Sequence, residues 1–200
     1  RLLGEKYKTI VGIQGRYSGK FDSNTFEVYL GYGTFGWSVP ENESVSRIGL
    51  GSYSHSEKLL KEMIKDMNLK FIEWQSGPIP VYKPSMKLQH DNVFLLGDAA
   101  AHVKVTTVGG LVSGLWGAQA AARCLINDTR YSFELKELNR ELYLHDLIRW
   151  SLDRFGNEDY DRLLAELNNG MYQLLSRQNR DSMSQSIWAL LTSQPSLTLL

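Results

Sequence analysis

With 200 residues the chain can bury a proper core, as one domain or two small ones. Lysine plus arginine and aspartate plus glutamate each total 22, so the formal charge is zero and no basic field points to nucleic acid. One cysteine excludes an internal disulfide, four scattered histidines argue against a protein-held metal, and no apolar run reaches the roughly 18 residues of a spanning helix.

The chain opens "RLLGEKYKTIVGIQG", without Met and already entering a strand, which suggests a piece of something longer. No basic-then-apolar leader pattern is present there, and the cysteine count fits a reducing, cytoplasmic setting. From Tyr7 to about Tyr53, β-branched residues, aromatics and glycines alternate in short stretches: "KTIVGIQGRY", "TFEVYL", "TFGWSVP" and "SVSRIGLG". Such spacing predicts an antiparallel sheet. Within it, Gly31, Gly33 and Gly36 spell a literal G-x-G-x-x-G. A dinucleotide loop needs a helix after its glycines, and here Pro40 and "ENES" announce a hairpin turn instead.

A helix follows, with Ser54 and Glu57 in capping-box spacing, Leu59, Leu60, Met63, Ile64 and Met67 along one face, and Asn68 to end it. "KFIEWQSGPIPVYKP" returns as extended chain, a crossing segment in which Pro78, Pro80 and Pro84 exclude helix. Val93 to Leu96 is a continuous apolar run, the pattern of a strand buried on both faces. After a loop, a small-residue helix runs from about Gly109 to Ile126. Beyond Asp128 the pattern is helical, with Ser132, Asn157 and Asp181 as N-caps and Gly156 and Gly170 as terminators.

Chemistry concentrates where that apolar run ends. Gly97, Asp98 and Ala99 put a carboxylate at a strand terminus beside small residues, where it can accept hydrogen bonds from sugar-like hydroxyls; an Asp merely turning the chain reads the same. Eleven residues beyond Asp98, Gly109 and Gly110 open a helix whose first N–H groups no side chain screens, and such an end favours negative charge. Gly110, Gly114, Gly117 and Ala121 give that helix a face for close packing.

"VFLLGDAAAHVKVTTVGGLVSGLWGAQAA" resembles the second flavin motif of the geranylgeranyl reductase family, in the wider para-hydroxybenzoate-hydroxylase-like group. The resemblance implies that Gly97, Asp98 and Ala99 meet the ribityl and pyrophosphate region of FAD. It implies also that Val108, Gly109, Gly110 and Leu111 meet the pyrimidine edge of the flavin through backbone N–H groups. Val108 stands where the family usually has glycine. Upstream, "FGWSVPENESVSRIGLG" is similar to the family's isoprenoid-site pattern, which Phe35, Trp37, Val39, Pro40, Gly49 and Gly51 fill, with Val39 where Phe is commoner. The glycines of "GYGTFG" then belong to a sheet beside a lipid, and Trp37 is expected to share a cavity with the Gly109-Gly110 helix start. Core burial explains Phe35 and Trp37 equally simply.

The fold expected is α+β in three parts: an antiparallel substrate-domain sheet over residues 1–90, a strand-loop-helix segment completing an FAD-binding Rossmann-like domain over 91–128, and a helical C-terminal region over 129–200. The resemblance implies an FAD-dependent oxidoreductase that reduces isoprenoid C=C bonds of a prenyl lipid by hydride transfer from reduced flavin. An external electron donor, NADPH or ferredoxin-type, and peripheral membrane contact go with it. No residue stands out as a general acid. The G-x-G-x-x-G of a first nucleotide-binding half is missing, so the chain alone is expected to hold FAD weakly and to leave the Val93–Leu96 strand with an exposed edge or a borrowed partner chain. The alternatives are a flavin monooxygenase of the same architecture and a non-catalytic lipid-binding module. His102, after the Gly97–Ala100 stretch, could approach flavin or substrate but is expected in a loop or packing role; Lys104, between the two flavin-facing stretches, could sit near ring or phosphate; Cys124 is expected as a small core residue. His55, His90 and His145 have no partners at ligand spacing, and Glu158, Asp159 and Asp161 read as an acidic helix start.

Overall fold

The computed structural model describes residues 7–166, together with Ser176 and Ser184. Alternating apolar residues produce the expected strands β1 (Thr9–Ser18), β2 (Glu27–Tyr29), β3 (Phe35–Asn42) and β4 (Val45–Ser52). Gly31 and Gly33 take positive φ, 83° and 64°, in the turn from β2 to β3, which places them in a hairpin connection. The β3–β4 turn is held by Asn42, whose Oδ1 accepts from the N–H groups of Ser44 and Val45.

Helix α1 (Ser56–Ile64) follows, with Leu60 and Met63 facing inward. Its cap is not the Ser54 capping box. His55 occupies the N-cap position in the left-handed region, with no side-chain cap bond, while the Ser54 N–H donates to Ser52 Oγ. The segment expected as extended chain is extended, and over Lys70–Pro80 it forms a full edge strand, β5, paired antiparallel with β1 along its length. Its position explains its prolines, which lack a ladder donor and are tolerated at a sheet edge. The sheet order is β2-β3-β4-β1-β5.

Register assigns two faces. Tyr17, Ile48 and Leu50 look toward α1 and form a core with Leu60 and Met63; truncating such a residue to alanine costs about 2–5 kcal/mol. On the other face the pairings Phe35–Gly51, Trp37–Gly49 and Val39–Arg47 continue through Gly51–Gly12 and Gly49–Gln14 to Gly12–Gly77. Pro40, paired with Ser46, falls on the α1 side.

The apolar run Val93–Leu96 is not a strand buried on both faces. Only Val93–Phe94 is strand (β7), paired antiparallel with β6 (Gln89–His90), and Val93 and Leu96 are exposed. Among the described residues no parallel neighbour covers it. A 3-10 turn (Gly97–Ala100) and the loop 101–110 lead to α2 (Leu111–Asn127). Helices α3 (Tyr131–Glu134), α4 (Lys136–Leu152) and α5 (Asn157–Glu166) complete the described fold.

Arg130, rather than Ser132, caps α3. Gly156 lies in the break between α4 and α5, Asn157 is the first helical residue of α5 and not its N-cap, and the acidic residues Glu158 and Asp159 lie in the first turn of α5. Gly170 and Asp181 lie outside the described residues. The helical core gathers Ala120, Ala121 and Cys124 of α2 with Tyr131, Leu135, Leu138 and Leu142. Tyr131 is buried, its hydroxyl donates to Leu95 O (3.1 Å), and burial pushes its pKa up to about 12. No helix among the described residues is long and apolar enough to cross a membrane.

Candidate functional site

The stretch from Gly97 to Leu111 doubles back so that its two ends meet. Gly97 (φ 55°) and Ala101 (φ 52°) bend the chain in the left-handed region, and the His102 N–H donates to Gly97 O (3.0 Å). A bridge closes the outer part of the loop, with the Lys104 N–H donating to Gly109 O (3.0 Å). Twelve residues apart in sequence, Asp98 and Gly110 thereby become neighbours. A Cβ added to Gly110 would stand 3.0 Å from Asp98 Oδ1. Asp98 and Ala99 are exposed, as is Leu111, at 79%. The N-cap residue Gly110 gives α2 no side-chain cap, so the first-turn N–H groups have no intrahelical partner. A carboxylate and a bare helix start therefore share one exposed patch.

Beneath it the loop is packed hard. His102 is fully buried, neither ring nitrogen has a hydrogen-bond partner among the described residues, and burial lowers its pKa to about 4. Its ring occupies the space of a missing side chain on α2: a Cβ at Gly117 would lie 2.2 Å from His102 Nδ1. Ser113 ties the same residue down by donating to His102 O. The small-residue face of α2 is thus a seat for the loop.

The expected lipid-side residues gather on the sheet face away from α1. Trp37 lies over Gly49, whose added Cβ would meet Trp37 Cζ2 at 2.7 Å, and its Nε1 donates to Gln14 Oε1 (3.2 Å). Phe35 and Trp37 face each other at 6.2 Å. Val39 is exposed, and Pro40 belongs to the other face. Gly51 is covered by the loop itself, for a Cβ there would meet Val108 Cγ1, Ile10 Cγ2 and Thr34 Oγ1, each at 3.1 Å. Gly51 therefore joins the two halves of the candidate site.

Cavities of about 910 Å³, between β1 and α1, and about 710 Å³, beside Tyr53, Tyr82 and Trp150, are lined by neither Trp37 nor the Gly109-Gly110 start. The first is lined by Val11 and Ile13 of β1 and by side chains of α1 that include Glu57, Lys58 and Lys61. The cavity expected between Trp37 and the helix start is neither of these; Trp37 lies over Gly49, and Val108, just before the helix start, meets the same strand two residues on at Gly51.

Sequence reasoning missed the contribution of α4. Glu141, His145 and Arg149 recur every four residues and are buried. Thr106 Oγ1 and His145 Nδ1 are 2.7 Å apart, which anchors the loop. Arg149 donates to Thr34 O and pairs with Asp153 (2.7 Å), which anchors the β2–β3 turn. A polar stripe beside the apolar Leu138 and Leu142 was the available signal, since a buried helix face carries charge only where partners await it.

No family model matches the chain. A digeranylgeranylglycerophospholipid reductase of Methanocaldococcus jannaschii is 26% identical over 88% of this chain and 50% of its own length. Another, from Methanosphaera stadtmanae, is 30% identical over 56% of this chain and 32% of its own length. The chain is similar to the digeranylgeranylglycerophospholipid reductases. It spans half or less of the length of these relatives. Among solved structures, a geranylgeranyl bacteriochlorophyll reductase-like protein of Thermoplasma acidophilum superposes with a TM-score of 0.74 at 21% identity, over 96% of this chain and 55% of that one. The flavin-dependent halogenase CmlS reaches 0.51 at 15% identity, over 97% of this chain and 46% of that one. The fold is therefore the mixed α+β fold of a geranylgeranyl reductase-like protein.

Proposed function

We propose that the protein is an FAD-dependent oxidoreductase that reduces C=C bonds in the isoprenoid chains of a prenyl lipid. The single observation that carries this reading is the meeting of Asp98 with Gly110, seen together with relatives whose names state prenyl-phospholipid reduction. The residues fit a flavin. Asp98 offers an exposed carboxylate to sugar-like hydroxyls, the missing side chain of Gly110 lets the loop close against it, and the first N–H groups of α2, which no side chain caps, would meet the ring edge. When bound, the flavin supplies the hydride; the chain supplies placement.

Gly97, Asp98 and Ala99 would orient the ribityl end, and the Val108 to Leu111 backbone the pyrimidine edge. Phe35, Trp37 and Val39 would wall the lipid on the adjoining sheet face and exclude water from it. In this reading residues 7–90 form most of the substrate side, 91–128 close the cofactor side, and the helices after 128 brace the loop.

Fold alone does not separate reduction from the other flavin chemistries of this architecture, since a halogenase shares it. The sequence relatives favour reduction. The test is to incubate the chemically reduced intact protein with a geranylgeranyl phospholipid without oxygen and to weigh the lipid. A gain of two hydrogens per bond supports the proposal. Unchanged lipid, or oxygen or halide incorporated into an aromatic compound under air, contradicts it.

A further inference from the structure

We infer that Val108 and Gly51 act as wedge and socket, and that Val108 is a positioning residue setting the height of the Gly109-Gly110 edge above the sheet. The inference rests on the flavin reading above. Val108 has φ 49°, a left-handed conformation in which a β-branched residue is a strained outlier. Such strain persists only where the surroundings impose it. Here they do: Val108 packs against the cluster of Ile10, Val81 and Val105, and its Cγ1 fills the place of the side chain that Gly51 lacks.

The socket is rigid. Thr34 donates to Gly51 O through both its N–H and its Oγ1 (2.8 Å each), and Arg149 grips Thr34 O from α4. The wedge is tied to the helix start in turn, because the Lys104–Gly109 bridge closes the loop one residue beyond it. Two residues back along β4, Gly49 seats Trp37 in the same manner. The lipid wall and the flavin-facing loop thus rest on successive steps of one strand, about 7 Å apart at two residues of extended chain. Gly51 then serves the loop, and the strand repeat fixes the gap in which the reaction takes place.

The experiment compares the intact wild-type protein with Val108→Gly, Gly51→Ala and the double variant by thermal melting, FAD titration and the visible spectrum of bound flavin. Val108→Gly keeps the thermal midpoint within a few degrees, since relief of strain offsets lost packing. It weakens FAD about three- to tenfold and alters the bound spectrum. Gly51→Ala collides with Val108 and weakens FAD similarly, and the double variant recovers most of that loss, as coupled neighbours do. A Val108→Gly protein with wild-type affinity and spectrum overturns the inference and leaves the flavin reading standing; so do strictly additive effects. Wild-type protein that takes up no FAD overturns both. If Gly51→Ala does not fold, Val108→Gly decides alone.

Discussion

The carboxylate of Asp98 lies beside Gly110, its Oδ1 3.0 Å from where a Gly110 Cβ would stand. The glycine makes room for the loop, since a side chain there would also meet Val103 Cγ2 at 3.2 Å, and the acid is left exposed to accept hydrogen bonds. Asp98→Ala is expected to weaken FAD by about 1.5–3 kcal/mol, the range for a hydrogen bond to a charged group. Its effect on the melting point without FAD should be small, because the side chain is exposed. Titration of both proteins checks this, and equal affinities would return Asp98 to a simple turn role.

Gly117 should refuse a side chain. On an exposed helix, Gly→Ala gains up to about 1 kcal/mol. Here the new Cβ would lie 2.2 Å from His102 Nδ1 and 2.5 Å from Cε1. Overpacking of this kind costs about 1–3 kcal/mol, so Gly117→Ala is expected to lower stability in denaturant unfolding. Gly77→Ala, which meets nothing within 4 Å, should not. A stabilised Gly117→Ala would mean that His102 does not sit on α2.

His102 gives the fold an acid sensitivity. Its folded pKa of about 4 lies below the unfolded value of 6.5, because burial disfavours the imidazolium. Between those values the unfolded chain binds the extra proton, so stability rises with pH across the window. The contribution is full above pH 6.5 and falls progressively as pH drops toward 4, by about 3 kcal/mol in total. His102→Leu should flatten the melting-point profile over that window. An unchanged slope in His102→Leu would place the titration elsewhere.

The sheet was legible because its strands alternate and its turns carry their own chemistry: Asn42, Gly31 and Gly33 do what such residues do locally. The α1 apolar face was legible for the same reason. What failed were features set by distant partners. Val93 to Leu96 reads as a doubly buried strand, yet a strand is buried only if something lies on both sides, and among the described residues nothing does. "KFIEWQSGPIP" carries no alternation that reveals pairing with β1, and its prolines speak only against helix. Asp98 and Gly110 were both singled out in sequence, but their contact depends on the left-handed turns at Gly97 and Ala101, the latter invisible at an alanine. The Glu141, His145 and Arg149 stripe was overlooked because its partners, Thr106 and Thr34, lie 39 and 115 residues away from His145 and Arg149.

Arg149 should be a point of failure for the whole assembly. It is 5% exposed, bonded to Thr34 O and paired with Asp153. Arg149→Met leaves the Thr34 carbonyl without its donor and Asp153 without its cation, at a cost of about 2–4 kcal/mol. Denaturant unfolding measures that directly. A loss below about 0.5 kcal/mol, the range of ordinary surface changes, would mean that α4 does not brace the β2–β3 turn.

Whether this fold holds a flavin is decided by the visible absorption spectrum of the purified intact protein. Flavin absorption is expected at close to one FAD per chain, either as purified or after reconstitution, released on unfolding and lost from Asp98→Ala under dilute conditions. A well-folded intact protein that stays colourless and takes up no added FAD would contradict it.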